Sequence, residues 1–165
     1  MLVHESCKIV FILFALGFLN FSYSQVNYQT RYIELTWEEI VENETDDEKK
    51  IDSFIFYSFV HYKKDIYSGG DGSDIFNEFK NLKDFYRLNN KNQIYIQIRL
   101  NVKSHDEVYP IKTELESLGC EIIKEYAGHN NYIELSAWAG IDKIIDIART
   151  KNVVNIKSFS PIFFR

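Results

Sequence analysis

Cys120, His61, His105, His129, the carboxylates Glu121, Glu125 and Glu134, and the glycine-rich run "SGGDGSD" (68–74) are the residues whose types could do chemistry. Each type needs partners at a definite spacing. A thiol nucleophile needs an imidazole to activate it, and no pattern supplies one for Cys120. The three histidines fall one per segment, without the spacing of metal ligands. A carboxylate pair for glycoside hydrolysis needs a cleft, and residues 121, 125 and 134 read as neighbours on an open sheet. The glycine run lacks the Gly-Lys-Ser/Thr that positions phosphate. The acidic run "ENETDDEKK" (42–50) lacks the alternating oxygens and the glycine of a calcium loop, so it reads as a solvated linker. Asn43-Glu44-Thr45 within it fits a glycosylation acceptor, which matters only in a eukaryotic secretory route. The expectation is a non-enzymatic protein with no catalytic residue, metal or cofactor.

The 165 residues carry 19 Lys+Arg against 24 Asp+Glu, a net charge of −5. That balance disfavours nucleic acid and anionic membranes. Aromatic residues are plentiful, as a packed core requires and a disordered chain lacks. Residues 1–24 read as a signal peptide: Lys8, then the apolar "IVFILFALGFL" (9–19), then Ser22 and Ser24 before a cleavage point after Ser24. The apolar run is short for a bilayer span, so no membrane span is expected after cleavage; an uncleaved anchor is the competing reading. The protein is expected to be secreted or periplasmic. His4 and Cys7 belong to the signal, which leaves Cys120 without a disulfide partner and best read as a small buried hydrophobe.

Residues 25–92 read as a smaller α/β region of unknown role. Residues 25–35 look extended. Thr36 and Glu39 form a capping box for a helix whose face is Trp37, Ile40 and Val41. "IDSFIFYSFVHYKKDIY" (51–67), dense in aromatic and β-branched residues, predicts a strand covered on both sides. Ser73 or Asp74 then caps a helix over 74–89 with the stripe Ile75, Phe79, Leu82 and Tyr86. "NNKN" (89–92) marks an internal boundary.

Residues 93–165 have a regular order. Strand 93–102 alternates without fault, Ile94, Ile96, Ile98, Leu100 and Val102 against Tyr95, Gln97, Arg99 and Asn101. Helix 105–119 carries Pro110 in its first turn and Gly119 at its end. Strand 120–127, the turn "GHNN" (128–131), strand 132–139, helix 140–152 and strand 153–159 follow. The order βαββαβ predicts an α+β fold, the ferredoxin-like antiparallel sheet with both helices on one face. Ile122 and Ile123 point opposite ways, which calls for a bulge or an edge position. In the last strand Val154 and Ile156 are expected inward, and Val153, Asn155 and Lys157 outward. The open face would then carry Tyr95, Arg99, Tyr132, Trp138 and Val153, residue types that gather at contact surfaces. Either the 51–67 segment or the 74–88 helix packs over that face, or another protein does.

The stretches "IYIQIRLN", "LESLGCEIIKEYA" and "YIELSAWAGIDKIIDIARTKNVVNIKSFSP" resemble the propeptide and inhibitor modules of subtilisin-like serine proteases, over roughly 93–161. The resemblance implies a sheet face that docks on the protease. It also implies a tail, Pro161, Ile162, Phe163, Phe164 and Arg165, that enters the active-site cleft as a substrate mimic; a docked or frayed terminus is the plainer alternative. No protease domain follows in this sequence, so unless it is a fragment of a protease precursor the implied roles are a stand-alone inhibitor or a chaperone acting in trans on a secreted subtilisin-like protease, or a repurposed binding module. The alternative is a structural or accessory envelope module with no protease partner.

Overall fold

The computed structural model describes residues 30–82, 86–127 and 132–158. The signal segment, the 128–131 turn and the tail from Pro161 to Arg165 lie outside the described residues. The chain divides into two compact units, residues 1–42 and 43–165.

In the first unit, residues 30–34 are helical, where an extended segment was expected. The backbone N–H of Leu35 donates to the Arg31 carbonyl at 3.4 Å, four residues back, and closes a helical turn. Helix α1, Trp37–Glu42, begins at the predicted box. The Thr36 N–H donates to Glu39 Oε2 at 2.8 Å, and the Glu39 N–H donates to Thr36 Oγ1 at 3.2 Å. Those bonds, the backbone one first, hold the Glu39 carboxyl below its usual range. The cap is therefore intact above the ordinary glutamate pKa and weakens as pH falls through the lowered one.

The second unit begins with a surprise in the acidic run. Thr45 and Glu48 repeat the reciprocal cap, Thr45 N–H to Glu48 Oε2 at 2.6 Å and Glu48 N–H to Thr45 Oγ1 at 3.3 Å, and Glu48 is fully buried. A 3-10 turn, Glu48–Lys50, follows. Lys50 Nζ donates to Asp47 Oδ1 at 2.7 Å and to the Ala148 carbonyl at 2.8 Å. The run is a tether to the sheet module, where a solvated linker was expected.

Residues 51–67 depart most from expectation. They form helix α2, Ser53–Tyr67, and no strand. Asp52 decides the start: its side chain accepts from the N–H groups of Phe54 and Ile55. Ile55, Phe56, Phe59 and Val60 are buried, and that spacing is one helical stripe. The β-branched and aromatic propensity yields to the cap and to burial. Asp52→Ala is expected to cost about 1 kcal/mol, read as a shifted urea midpoint with an unchanged slope. Helix α3 is Ser73–Asn81. Its N-cap is Gly72 at φ 75°, where Ser73 or Asp74 was expected, because the Gly72 N–H reaches back to Asp65 Oδ2 at 2.7 Å. A side chain at Gly72 would meet the Tyr62 ring. The helix ends at Asn81, short of the expected 89. Tyr86 lies beyond it, stacked on Phe54 at 4.3 Å and edge-on to Phe79 at 5.4 Å. Around "NNKN" the chain turns back: Leu88 bridges Ile94 and Asn92 takes φ 56°.

The sheet module follows its predicted order. Strand β1 is Ile94–Asn101. A 3-10 turn, His105–Glu107, leads into α4, Val108–Ser117, with Pro110 in its first turn. Strands β2, Glu121–Ala127, and β3, Tyr132–Ala139, pair antiparallel. A 3-10 turn, Ile141–Lys143, and α5, Ile144–Arg149, precede β4, Val153–Ser158. The result is an α+β structure with one antiparallel four-stranded sheet in the order β2-β3-β1-β4. Strand β2 is an edge strand with a register shift between Ile122 and Lys124, which explains the two outward-opposed isoleucines.

One face is fully buried: Ile94, Ile96, Ile98 and Leu100 of β1 beside Ile133, Leu135, Ala137 and Ala139 of β3. Glu125, opposite Leu135 on this side, pairs with His105 and Lys112, which ties the start of α4 to it. Val108, Ile111 and Leu115 of α4 and Ile144, Ile145, Ile147 and Ala148 of α5 are buried as well. The β4 edge is covered in part. Ile51 bridges Ile156, the Asp52 N–H donates to the Ile156 carbonyl at 2.8 Å, and Asn155 Nδ2 donates to the Lys50 carbonyl at 3.3 Å.

Candidate protein-binding face

Antiparallel register sets the reverse face of the sheet. Side chains directly opposite across two strands lie close enough to interact. Tyr95 is opposite Trp138, Gln97 opposite Ser136 and Arg99 opposite Glu134. The rings of Tyr95 and Trp138 meet at 4.9 Å with a 60° tilt. Arg99 donates from Nε at 2.9 Å and from Nη2 at 2.6 Å, both to Glu134 Oε1. Its guanidinium also lies 5.6 Å from the centre of the Tyr132 ring. From β2, Tyr126 stands opposite Glu134 and Lys124 opposite Ser136, with Lys124 Nζ 4.6 Å from the Tyr126 ring centre.

Four of the five predicted face residues, Tyr95, Arg99, Tyr132 and Trp138, come together here and are half-exposed. Val153 does not. It pairs with Leu100 on the core side and is buried, while Val154 is exposed. A register shift between Arg99 and Leu100 is the cause, since strict alternation from Ile156 places Val153 outward and one slipped residue reverses it. Lys124, Tyr126 and Lys157 belong to the face and were not singled out from sequence. The alternation of β4 did point Lys157 outward. The β2 residues became assignable only once the bulge was fixed.

Helix α2 packs against the 141–143 turn. Arg99 and Glu134 keep 37% and 22% side-chain exposure, so solvent reaches the centre of the reverse face.

Cys120 has no part in this face. Gly119, at φ 88°, ends α4 in a Schellman cap: the Gly119 N–H donates to Glu116 and the Cys120 N–H to Leu115. The cap places Cys120 on the core side next to Leu115, and burial pushes its thiol up to about 12. The native protein is expected to resist thiol alkylation at pH 8 and to react fully in denaturant, measured by mass shift. His105 Nδ1 meets Glu125 Oε1 at 2.5 Å on the helix-covered side, away from Cys120's cap.

Among the described residues no group of three or more His, Cys, Asp or Glu is placed to hold a metal ion. No helix of the described residues is long and apolar enough to cross a membrane. No family model, no curated protein and no solved structure matches the chain.

Proposed function

We propose that this is an exported, non-enzymatic binding protein whose reverse sheet face engages a subtilisin-like protease in trans, as an inhibitor or a chaperone. The observation that carries the reading is the inequality of the two sheet faces. One is sealed by apolar side chains, and the other presents Tyr95, Trp138, Arg99 and Tyr132 half-exposed. Aromatic residues and arginine on a flat, reachable surface are what protein contacts use. The strand order β2-β3-β1-β4, with a helix between β1 and β2 and another between β3 and β4, supports a ferredoxin-like module.

The tail, Pro161 to Arg165, is the second proposed contact. It supplies apolar side chains and extended backbone to the protease cleft.

The test is residues 25–165 assayed against a panel of secreted subtilisin-like proteases, with and without residues 160–165. Inhibition lost on deleting the tail, with the circular dichroism spectrum unchanged, supports the proposal. Failure of the full chain to inhibit, or to assist refolding of, any member rejects it in favour of a structural module.

A further inference from the structure

The middle of the reverse face holds a row of polar side chains whose donors have no partner. Register sets Lys157 opposite Gln97, Gln97 opposite Ser136, and Ser136 opposite Lys124, one side chain from each strand. Neighbouring strands lie about 4.8 Å apart, so the row crosses the whole sheet within about 15 Å. Among the described residues neither lysine is in an ion pair and the Gln97 carboxamide has no hydrogen-bond partner. Ser136 is fully buried on the floor of the row, and its Oγ has no partner. A buried hydroxyl without a partner carries a desolvation penalty that a bound acceptor would remove.

The other charges of this face are already matched. Arg99 holds Glu134, and Lys91 lies 3.6 Å from Glu121. The two spare ammonium groups therefore give the face a positive centre on a chain of net charge −5. On one side of the row stands the Tyr95–Trp138 pair, and on the other the Arg99–Glu134 pair with Tyr126 beside it.

The geometry points to a carboxylate-bearing protein segment as the occupant, an Asp or Glu seated over the Lys157–Gln97–Ser136–Lys124 row with an apolar neighbour on the Tyr95–Trp138 pair. Two spare cations suit one or two carboxylates and fall short of a phosphate backbone, whose binding draws on many. The Tyr95–Trp138 pair on one side of the row and Tyr126 on the other suit a side-chain-bearing segment better than a free anion. The inference deepens the protein-binding reading of the same face and rests on it.

A displayed library of random peptides panned on the immobilised full chain tests it. Recovered binders should carry Asp or Glu beside an apolar residue. Their affinity should fall about a hundredfold in K124E/K157E, about tenfold per lysine. Ser136→Ala removes the orphan hydroxyl, so it should leave the free protein as stable or more so and still weaken the same peptides severalfold. Binders without carboxylates, binders indifferent to the lysine reversals, no binders, or displacement of the peptides by a DNA oligonucleotide would each overturn the inference. Carboxylate-free binders lost in Trp138→Ala would do so while leaving protein binding intact. Acidic binders recovered from a chain that inhibits no protease would instead remove the protease reading and keep the inference.

Discussion

Replacing Phe56 with alanine is expected to destabilise the whole 43–158 unit, sheet included, by about 3–5 kcal/mol. Phe56 is 1% exposed and shares the α2 stripe with Ile55, Phe59 and Val60. The lost ring leaves a cavity that close-packed neighbours fill only in part. The consequence reaches the sheet because α2 hangs from it at Ile51 and Asp52, bound to Ile156, and packs on the turn before α5. A loss of this size is comparable with the total stability of an ordinary domain. Urea unfolding in a Trp37→Phe background, followed by Trp138 fluorescence and by far-ultraviolet circular dichroism, reads it. Both signals should shift together. A Trp138 transition that stays in place while the helical signal melts early would make α2 an appendage and break the one-unit description.

Trp138→Ala should do the reverse, with a large effect on binding and a small one on stability. Trp138 is half-exposed and its ring leans on Tyr95 at 4.9 Å. Losing that aromatic contact costs about 0.5–1.5 kcal/mol. A central aromatic anchor at an interface contributes about 2–4 kcal/mol, or roughly a thirtyfold to a thousandfold change in affinity. The inhibition constant against whichever protease responds should therefore rise by at least that lower factor, with the melting temperature lowered only a few degrees. Leu135→Ala, three residues earlier in the same β3 but on the sealed face, should instead collapse stability. Equal effects of both substitutions on affinity and stability would mean that the two faces are not different in kind.

The sheet was legible in the sequence because period-2 alternation survives wherever one face is sealed. Ile94 to Leu100 and Ile133 to Ala139 alternate, and each strand stands within a residue or so of its expected bounds. Alternation fails where the ladder slips. The shift between Arg99 and Leu100 turned Val153 into the core, and no residue type in "VVNIKS" announces it. The 51–67 stretch misled for another reason. Aromatic and β-branched residues describe burial as much as strand, and a buried helix shows the same composition. Asp52, standing before Phe54 and Ile55, was the local signal of a helix start. Thr45 and Glu48 carried the same capping pattern as Thr36 and Glu39, hidden among surrounding charges. The donor row was out of reach, because Lys157, Gln97, Ser136 and Lys124 lie far apart in the chain and meet only through register.

Hydroxyl-radical footprinting, free and in complex with an active-site-blocked protease that the chain inhibits, tests the central claim most directly. Tyr95, Tyr126, Tyr132 and Trp138 should be oxidised in the free protein, while Phe56 and Phe59 stay protected. On complex formation those four should lose reactivity together. Oxidation of the four unchanged in the complex, with protection appearing around α3 and the 68–72 loop instead, would contradict the assignment of the reverse face as the binding surface.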